Sequence, residues 1–317
     1  MILLITNKFD PHVDSVILCL EKKKIDFERI NTEEFPQRLG VAINHHPFKS
    51  FLYVNNRKIA LDSIKSIWYR RPLPPEPHRS IKNKAIRKFI IDESESVLFG
   101  LWESIDCHFV DRPSILRRAE NKIYQLKLAE KLGLLTPQTL ITNRLLDLKN
   151  FTKKCKSNLA IKTIFSNVID YPLKSEVIFT NKLLKAKDID EEAIEYSPHF
   201  FQEYIEKAVE LRAIIMGQDV FTFEILSQES KKGKYDWRRD LANLKYRIHN
   251  LPASLKRKYL NFVKMLGLNF GVMDLILTPD KKYVFLELNP NGAWLWLEKK
   301  TGFPLSQKMA KFLIRGK

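Results

Sequence analysis

Cysteine is scarce in this chain of 317 residues: Cys19, Cys107 and Cys155 are odd in number, far apart and without metal-ligand spacing. That argues against a disulfide scaffold or a cysteine-based zinc site and points to a reducing cytoplasm. No apolar run approaches the roughly 20 residues of a membrane span. The opening Met1-Ile2-Leu3-Leu4-Ile5 is too short for a signal peptide and lacks a basic start, so it reads as a first strand. There is no zinc finger, no aromatic-glycine RNA signature, no basic tail, no internal repeat and no low-complexity segment. The seven histidines (His12, His45, His46, His78, His108, His199, His249) form no constellation and read as surface or packing residues. Glycine is missing altogether between Gly133 and Gly217.

What is present describes an ordinary soluble protein with room for two or three compact units: 44% apolar and 29% charged residues. The net charge of +17 suits a polyanionic partner, either nucleic acid or a nucleotide together with an acidic polypeptide. Lysines are spread along the whole chain, as a lysine-rich proteome alone would produce. The functional argument therefore rests on motifs.

The pattern predicts α/β organisation first and α+β later. A strand over 2–6 precedes an amphipathic helix carrying Val13, Val16, Ile17 and Leu20, then a strand over 27–31. Strands over 51–54, 59–60 and 67–70 follow, with a connector marked by Pro72, Pro74, Pro75 and Pro77 and a long helix over 86–102. This unit ends near Arg112-Pro113. Next come a helix over 114–132 stopped by Gly133, a strand pair 159–164 with 177–180, and a second pair 200–205 with 211–217. After a strand over 220–226 and a mobile lysine-rich loop over 229–234, Pro252 opens a helix that Gly267 closes.

The segment 271–292, GVMDLILTPDKKYVFLELNPNG, is the most telling. Two apolar runs flank the turn residues Thr278 to Lys282, which predicts an antiparallel hairpin. Glu287 and Asn289 are two apart and share a face. A hairpin folded about Asp280-Lys281 sets Asp274 opposite Glu287 on that face. Charges that interrupt apolar strands are costly without a partner, and hard oxygen ligands with room for phosphate suit Mg2+. A plain surface hairpin would keep its acids in the turn.

Four clusters precede this hairpin in order: Lys122 at a helix start, Lys162 ending the apolar strand Leu159-Ala160-Ile161, the stretch Gln202-Glu203-Tyr204-Ile205 with Glu210 seven residues after Glu203, and Arg212. A strand edge and turn can offer backbone groups to an adenine. An acid beyond it can accept ribose hydroxyls, and the planar fork of arginine suits phosphate or carboxylate. A lysine within a strand more often points to water, so each element gains weight only from the order.

That order resembles the ATP-grasp ligases, over roughly residues 111–317. Trp68-Tyr69-Arg70-Arg71-Pro72, Asp236-Trp237-Arg238-Arg239 and Asn289-Pro290-Asn291-Gly292-Ala293-Trp294-Leu295-Trp296 further resemble the microviridin-type peptide ligases, the graspetide synthetases. The tryptophans of the last run are equally compatible with core packing. The resemblance implies an α/β N-terminal domain (1–112) followed by an α+β ATP-grasp fold, with central (113–206) and C-terminal (207–317) domains gripping ATP between antiparallel sheets. It implies Lys122 and Lys162 on the phosphates, Gln202, Glu203, Tyr204 and Ile205 at the adenine, and Glu210 at the ribose. Asp274, Glu287 and Asn289 would hold two Mg2+ ions, and Arg212, with Arg238 as second candidate, would bind the transferred phosphoryl group or the substrate carboxylate. Where the family has a glycine-rich phosphate lid this chain has Thr163-Ile164-Phe165-Ser166-Asn167-Val168, so the lid's backbone contacts to phosphate are either lost or made by Ser166 and Asn167.

The implied activity is cytoplasmic and ADP-forming: a side-chain carboxylate of a ribosomal precursor peptide becomes an acyl phosphate and is captured by a Ser/Thr hydroxyl or Lys amine. The implied partner is an acidic precursor with a leader segment, bound near Arg117 and Arg118, and family members are commonly homodimers. Two other readings stay open at this stage. One is an ATP-grasp ligase adding amino acids to a protein tail or small molecule. The other is a non-catalytic nucleic-acid-binding protein, which the motifs disfavour.

Overall fold

Strand Ile2–Thr6 is buried at all five positions, with Ile2 and Leu4 in one core and Leu3 and Ile5 in another. Such two-sided burial belongs to a parallel sheet. The strand accordingly pairs in parallel with Phe27–Asn31 and Ser66–Tyr69, and the latter with His108–Val110. Helix Pro11–Lys22 covers one face; Asp10 caps it by accepting the N–H groups of His12 and Val13, and Pro11 occupies the first turn. Helix Lys84–Ser104 puts Leu98, Leu101 and Trp102 on the other face. A ribbon of Leu39–Asn44, Lys49–Val54 and Arg57–Ala60 completes this region.

This computed structural model describes residues 1–316 except 56, 156–157, 166–167, 172–173 and 184–191, with the backbone alone at 170–171, 174 and 181–183. Ser166 and Asn167, expected to replace a glycine lid, lie outside the described residues. Among the described residues no helix is long and apolar enough to cross a membrane, and the three cysteines are unpaired thiols.

The second sheet is antiparallel in the order Asn181–Leu183, Leu159–Lys162, His199–Glu203, Thr139–Thr142. Two expected pairings are corrected here. Residues 159–162 pair with 181–183, while Lys174–Val177 pairs with Val168–Tyr171. His199–Glu203 does not pair with the strand at 211–217 but sits inside this sheet, between Leu159–Lys162 and Thr139–Thr142. Local apolar runs identify strands, but long-range packing chooses their partners.

The third sheet is antiparallel in the order Tyr246–His249, Asp219–Ile225, Val209–Met216, Phe270–Leu277, Tyr283–Asn289. One face packs Leu211, Ala213, Ile215, Met273 and Leu275 against Tyr259, Phe262, Val263 and Leu266 of helix Ala253–Leu266. The opposite face divides. Ile214, Met216, Phe270 and Val272 join the core shared with Ile2, Leu4 and Trp68 of the first sheet, whereas Glu210, Arg212 and Asp274 border a cleft.

The expected single helix over 114–132 is two helices, Pro113–Ala119 and Lys122–Lys131. Asn121 breaks the run because its carboxamide caps the second helix, accepting from the Tyr124 N–H. The segment 229–234, expected to be a mobile loop, continues the turn Ser227–Glu229, and the Ser230 hydroxyl accepts the Gly233 N–H at 2.9 Å.

Gly267 ends helix Ala253–Leu266 at φ +82, and a Cβ there would meet only Ile115, at 3.5 Å or more. Its cost is thus conformational. Gly267→Ala should lower stability by about 1 kcal/mol, read as a lower urea midpoint with an unchanged slope. A loss of several kcal/mol would show that the helix end is more tightly packed than this geometry allows.

Candidate active site

The turn of the key hairpin is centred one half-residue earlier than expected, because Leu277 pairs with Tyr283. A regular ladder from there would set Asp274 opposite Leu286. Instead the register shifts between Asp274 and Leu275, and Asp274 pairs with Glu287. This bulge absorbs one extra residue and turns the strand over. Phe285 stays in the helix-side core, while Glu287, two residues later, faces the cleft. The expected opposition of the two acids therefore holds, but by a bulge that the sequence reading did not contain.

Twelve of the residues singled out in the sequence line one cleft of ≈ 590 Å³: Lys122, Lys162, Gln202, Glu203, Tyr204, Ile205, Glu210, Arg212, Arg238, Asp274, Glu287 and Asn289, whereas Arg117 and Arg118 do not border it. That size suits a nucleotide. Arg212 pairs directly with Asp274 in the ladder; its Nη1 donates to Asp274 Oδ1 at 2.6 Å and its Nε to the Ala293 carbonyl at 3.1 Å. Lys122, placed at the first turn of its helix by the Asn121 cap, reaches Glu287 Oε2 at 3.0 Å and the Thr163 carbonyl at 2.9 Å. Lys162 is half-buried beside them and does not point away to water.

Charge is concentrated here. Burial alone would raise the Glu287 pKa, but Lys122, Lys162 and Arg238 outweigh it and bring it to about 2. For Asp274 burial prevails over Arg212, and its carboxyl is held above the ordinary range. Burial lowers the Lys162 pKa, opposed by Glu287. Cations thus outnumber acids at this end of the cleft, the balance that a polyphosphate needs.

At the other end, His199–Glu203 proves to be an interior strand, which corrects the expected strand edge. Glu203 N donates to Gln138 O and Tyr204 N to Asn158 O, so backbone beyond these groups, including Ile205, borders the cleft. Gln202 is buried with its amide on Thr139 Oγ1. Glu210 Oε1 accepts from Lys207 Nζ and Ser227 Oγ, both at 2.7 Å, yet burial still raises its pKa.

Several contributors escaped the sequence reading. Gln125 reads both sides of Leu288, donating to its carbonyl and accepting its N–H, each at 2.8 Å. A side chain thereby completes the open edge of Tyr283–Asn289 between Glu287 and Asn289. A glutamine inside a helix carries no signal of that role. Lys207, three residues before Glu210, also lines the cleft. Arg238 forks onto Asp236 through Nε and Nη2, at 2.8 and 2.6 Å. Trp237 stacks near Trp296, at 4.9 Å between rings, and beneath Arg212. Of the expected core tryptophans, Trp294 is fully buried, whereas Trp296 borders the cleft.

The donor set fits magnesium: two carboxylates and a carboxamide oxygen on one cleft wall, each carboxylate already matched by cationic side chains. Among the described residues there is no cluster of three or more His, Cys, Asp or Glu side chains for a metal, so phosphate or water oxygens would complete the sphere.

Residues 1–117 match the family model of the MvdD pre-ATP grasp domain, and residues 119–313 that of the RimK-like ATP-grasp domain. No curated protein matches the chain. Among solved structures, it is similar to a Chryseobacterium gregarium RiPP-associated ATP-grasp ligase in complex with ADP and a leader and core peptide. The identity is 30% over 99% of this chain and 96% of that one, with a TM-score of 0.90. The macrocyclase MdnC from Microcystis aeruginosa MRC, bound with precursor peptide MdnA, is 28% identical over 99% of both chains, with a TM-score of 0.86. The fold is also that of the ATP-grasp ligase PsnB, solved with a phosphomimetic variant of a minimal precursor, Mg and ADP, at 20% identity over 99% of this chain and 97% of that one and a TM-score of 0.80.

The depressed Glu287 pKa has a consequence for stability. Folding favours the ionised carboxylate, so its contribution is complete above pH 4.5 and disappears as pH falls towards about 2. Glu287→Gln should therefore be less stable than the parent at pH 7, with the gap closing across that window in denaturant titrations. A gap that stayed constant down to pH 2 would remove the ion pairing with Lys122 and Lys162.

Proposed function

Because this chain belongs to the RiPP-associated, graspetide-type ATP-grasp ligases, we propose that it uses ATP to join side chains within a ribosomal precursor peptide. An Asp or Glu carboxylate oxygen of the peptide attacks the γ-phosphorus, the bond to the bridging oxygen of ADP breaks, and an acyl phosphate forms. A Ser/Thr hydroxyl or Lys amine of the same peptide then attacks the acyl carbon and phosphate leaves, so each bond costs the peptide one water. The observation that carries this reading is the convergence of the Asp274–Glu287 pair with Lys122, Lys162, Arg212 and Arg238 in one cleft.

The residues divide by position. The backbone around Tyr204 and Ile205 receives the adenine, with Gln202 and Glu203 supporting that wall, and Glu210 accepts ribose hydroxyls once Lys207 and Ser227 have oriented it. Lys122 and Lys162 hold phosphate oxygens. Arg212 and Arg238 face the transferred phosphoryl group or the peptide carboxylate, where fixed cations in a water-poor site contribute ~3 kcal/mol or more each to the transition state. Asp274, Glu287 and Asn289 hold magnesium, two ions in our reading, which when bound neutralises phosphate charge and orients in-line transfer. Trp296 and Trp237 wall off water, which protects the acyl phosphate.

The relatives bind leader and core or precursor peptides. The net charge of +17 supports an acidic precursor as the partner here. The unpaired thiols fit a cytoplasmic reaction.

Incubation with ATP, Mg2+ and acidic peptides encoded beside this chain should yield peptide losses of 18 daltons, counted by mass spectrometry. Asp274→Ala and Glu287→Ala should each reduce this by about a hundredfold or more while the protein stays folded. Full turnover by Glu287→Ala would remove the metal assignment. Salt-sensitive RNA or DNA binding that neither change affects would favour the nucleic-acid reading.

A further inference from the structure

A second cluster of buried polar groups lies outside the cleft, where the first sheet meets the loop after Asn289. Asp10, His12, Arg70 and Trp294 are all buried there. Arg70 Nη1 donates to the carbonyls of Asn291 and Gly292, at 3.3 and 3.4 Å, and its Nε lies 2.9 Å from Asp10 Oδ2. Arg71 Nε donates to the same Asn291 carbonyl at 3.2 Å. His12 Nε2 accepts the backbone N–H of Trp294 at 3.0 Å and of Leu295 at 3.1 Å, and its Nδ1 lies 3.4 Å from Asp10 Oδ1.

This geometry fixes the state of the imidazole. A ring nitrogen that receives two N–H groups must present a lone pair, so the proton belongs on Nδ1, facing Asp10. The charged groups around the ring are Asp10 on one side and Arg70 and Arg71 on the other, and the Trp294 ring packs edge-on at 4.8 Å. Between the carbonyls held by Arg70 and the N–H groups held by His12 lies Ala293. Its carbonyl accepts from Arg212 Nε, and Arg212 Nη1 pairs with Asp274. Gly292 permits the path, since a Cβ there would lie 2.4 Å from the Val272 Cβ.

We propose that neutral His12 is a positioning residue: by accepting the N–H groups of Trp294 and Leu295 it fixes the loop whose Ala293 carbonyl orients Arg212 in the cleft. His12 does not line the cleft and acts through the backbone of another segment. Its effect on turnover rests on the ligase reading above, whereas its hold on the loop does not.

Three measurements test this. Histidine-selective 15N NMR of the parent protein at pH 7.5 should show His12 neutral, with its proton on Nδ1; an imidazolium or the Nε2–H tautomer overturns the proposal. His12→Leu, which removes the acceptor, should speed amide exchange at residues 294 and 295 and lower kcat, each about tenfold, as for one lost buried hydrogen bond. KM for ATP should stay within about threefold, because the change leaves Lys122, Lys162 and the adenine-side wall of the cleft in place. His12→Gln, whose Oε1 can stand where Nε2 stands, should recover kcat to within about threefold of the parent. Parent-like exchange in His12→Leu, or a His12→Gln as slow as His12→Leu, overturns the proposal. If His12→Leu does not fold, the tautomer and the Gln variant decide. If the parent dehydrates no peptide, the ligase reading fails alone, and tautomer and exchange still uphold or overturn the hold on the loop.

Discussion

A guanidinium pinned between a strand and a loop sets the geometry of this molecule. Arg212 lies on the central strand of the third sheet, and it satisfies Asp274 on the next strand and Ala293 beyond the last. Burying two opposite charges gives little net stability, since desolvation offsets the attraction. What the pair supplies is position. With Nη1 and Nε committed and the Trp237 ring alongside, Arg212 has one orientation available. Asp274 and the Ala293 carbonyl are thereby tied to the same side chain at the cleft.

The same strand shows how a cleft and a core share one surface. Along Val209–Met216, Leu211, Ala213 and Ile215 fill the core under helix Ala253–Leu266. The alternate positions begin as Glu210 and Arg212 and end as Ile214 and Met216, which pack towards the first sheet. Polarity therefore changes halfway along one face of one strand. The cleft begins where contact with the first sheet stops, so the two regions cannot be displaced independently. Asp111 reinforces the join: its carboxylate accepts the N–H groups of Asn269 and Phe270 at the start of the strand that carries Asp274.

The sequence made the site more legible than the topology. Acids inside apolar runs, as at Asp274 and Glu287, announce a compensating environment because an uncompensated buried charge is expensive. The order of Lys122, Lys162, Glu210 and Arg212 then narrowed the chemistry, and the cleft contains all of them. Pairing was less legible. Residues 200–205 and 211–217 look like neighbours locally, yet they belong to different sheets because each finds better burial against strands remote in sequence. The bulge that brings Glu287 opposite Asp274 leaves no composition signal, since Leu286 is an ordinary strand residue. Gln125 and His12 were unreadable for a related reason. Both act on backbone groups of a distant segment, and a side chain that binds backbone selects for geometry, not for a complementary residue type.

That last point explains why three separated motifs travel together in this chain. Trp68 and Trp294 stack at 5.7 Å, and the Arg70 guanidinium lies 5.6 and 5.1 Å from their rings. Trp237, from the Asp-Trp-Arg-Arg segment, packs against Trp296 on the opposite flank. The run from Asn289 to Trp296 is thus gripped on one side by the first sheet and on the other by a loop of the ATP-grasp region. Neither grip would form around a different loop shape, because Gly292 passes too close to Val272 to carry a side chain. The first domain is then no detachable neighbour of an ATP site. It reaches the cleft through Arg71, and its Trp-Tyr-Arg-Arg-Pro motif is the receptor for the loop that follows strand Tyr283–Asn289.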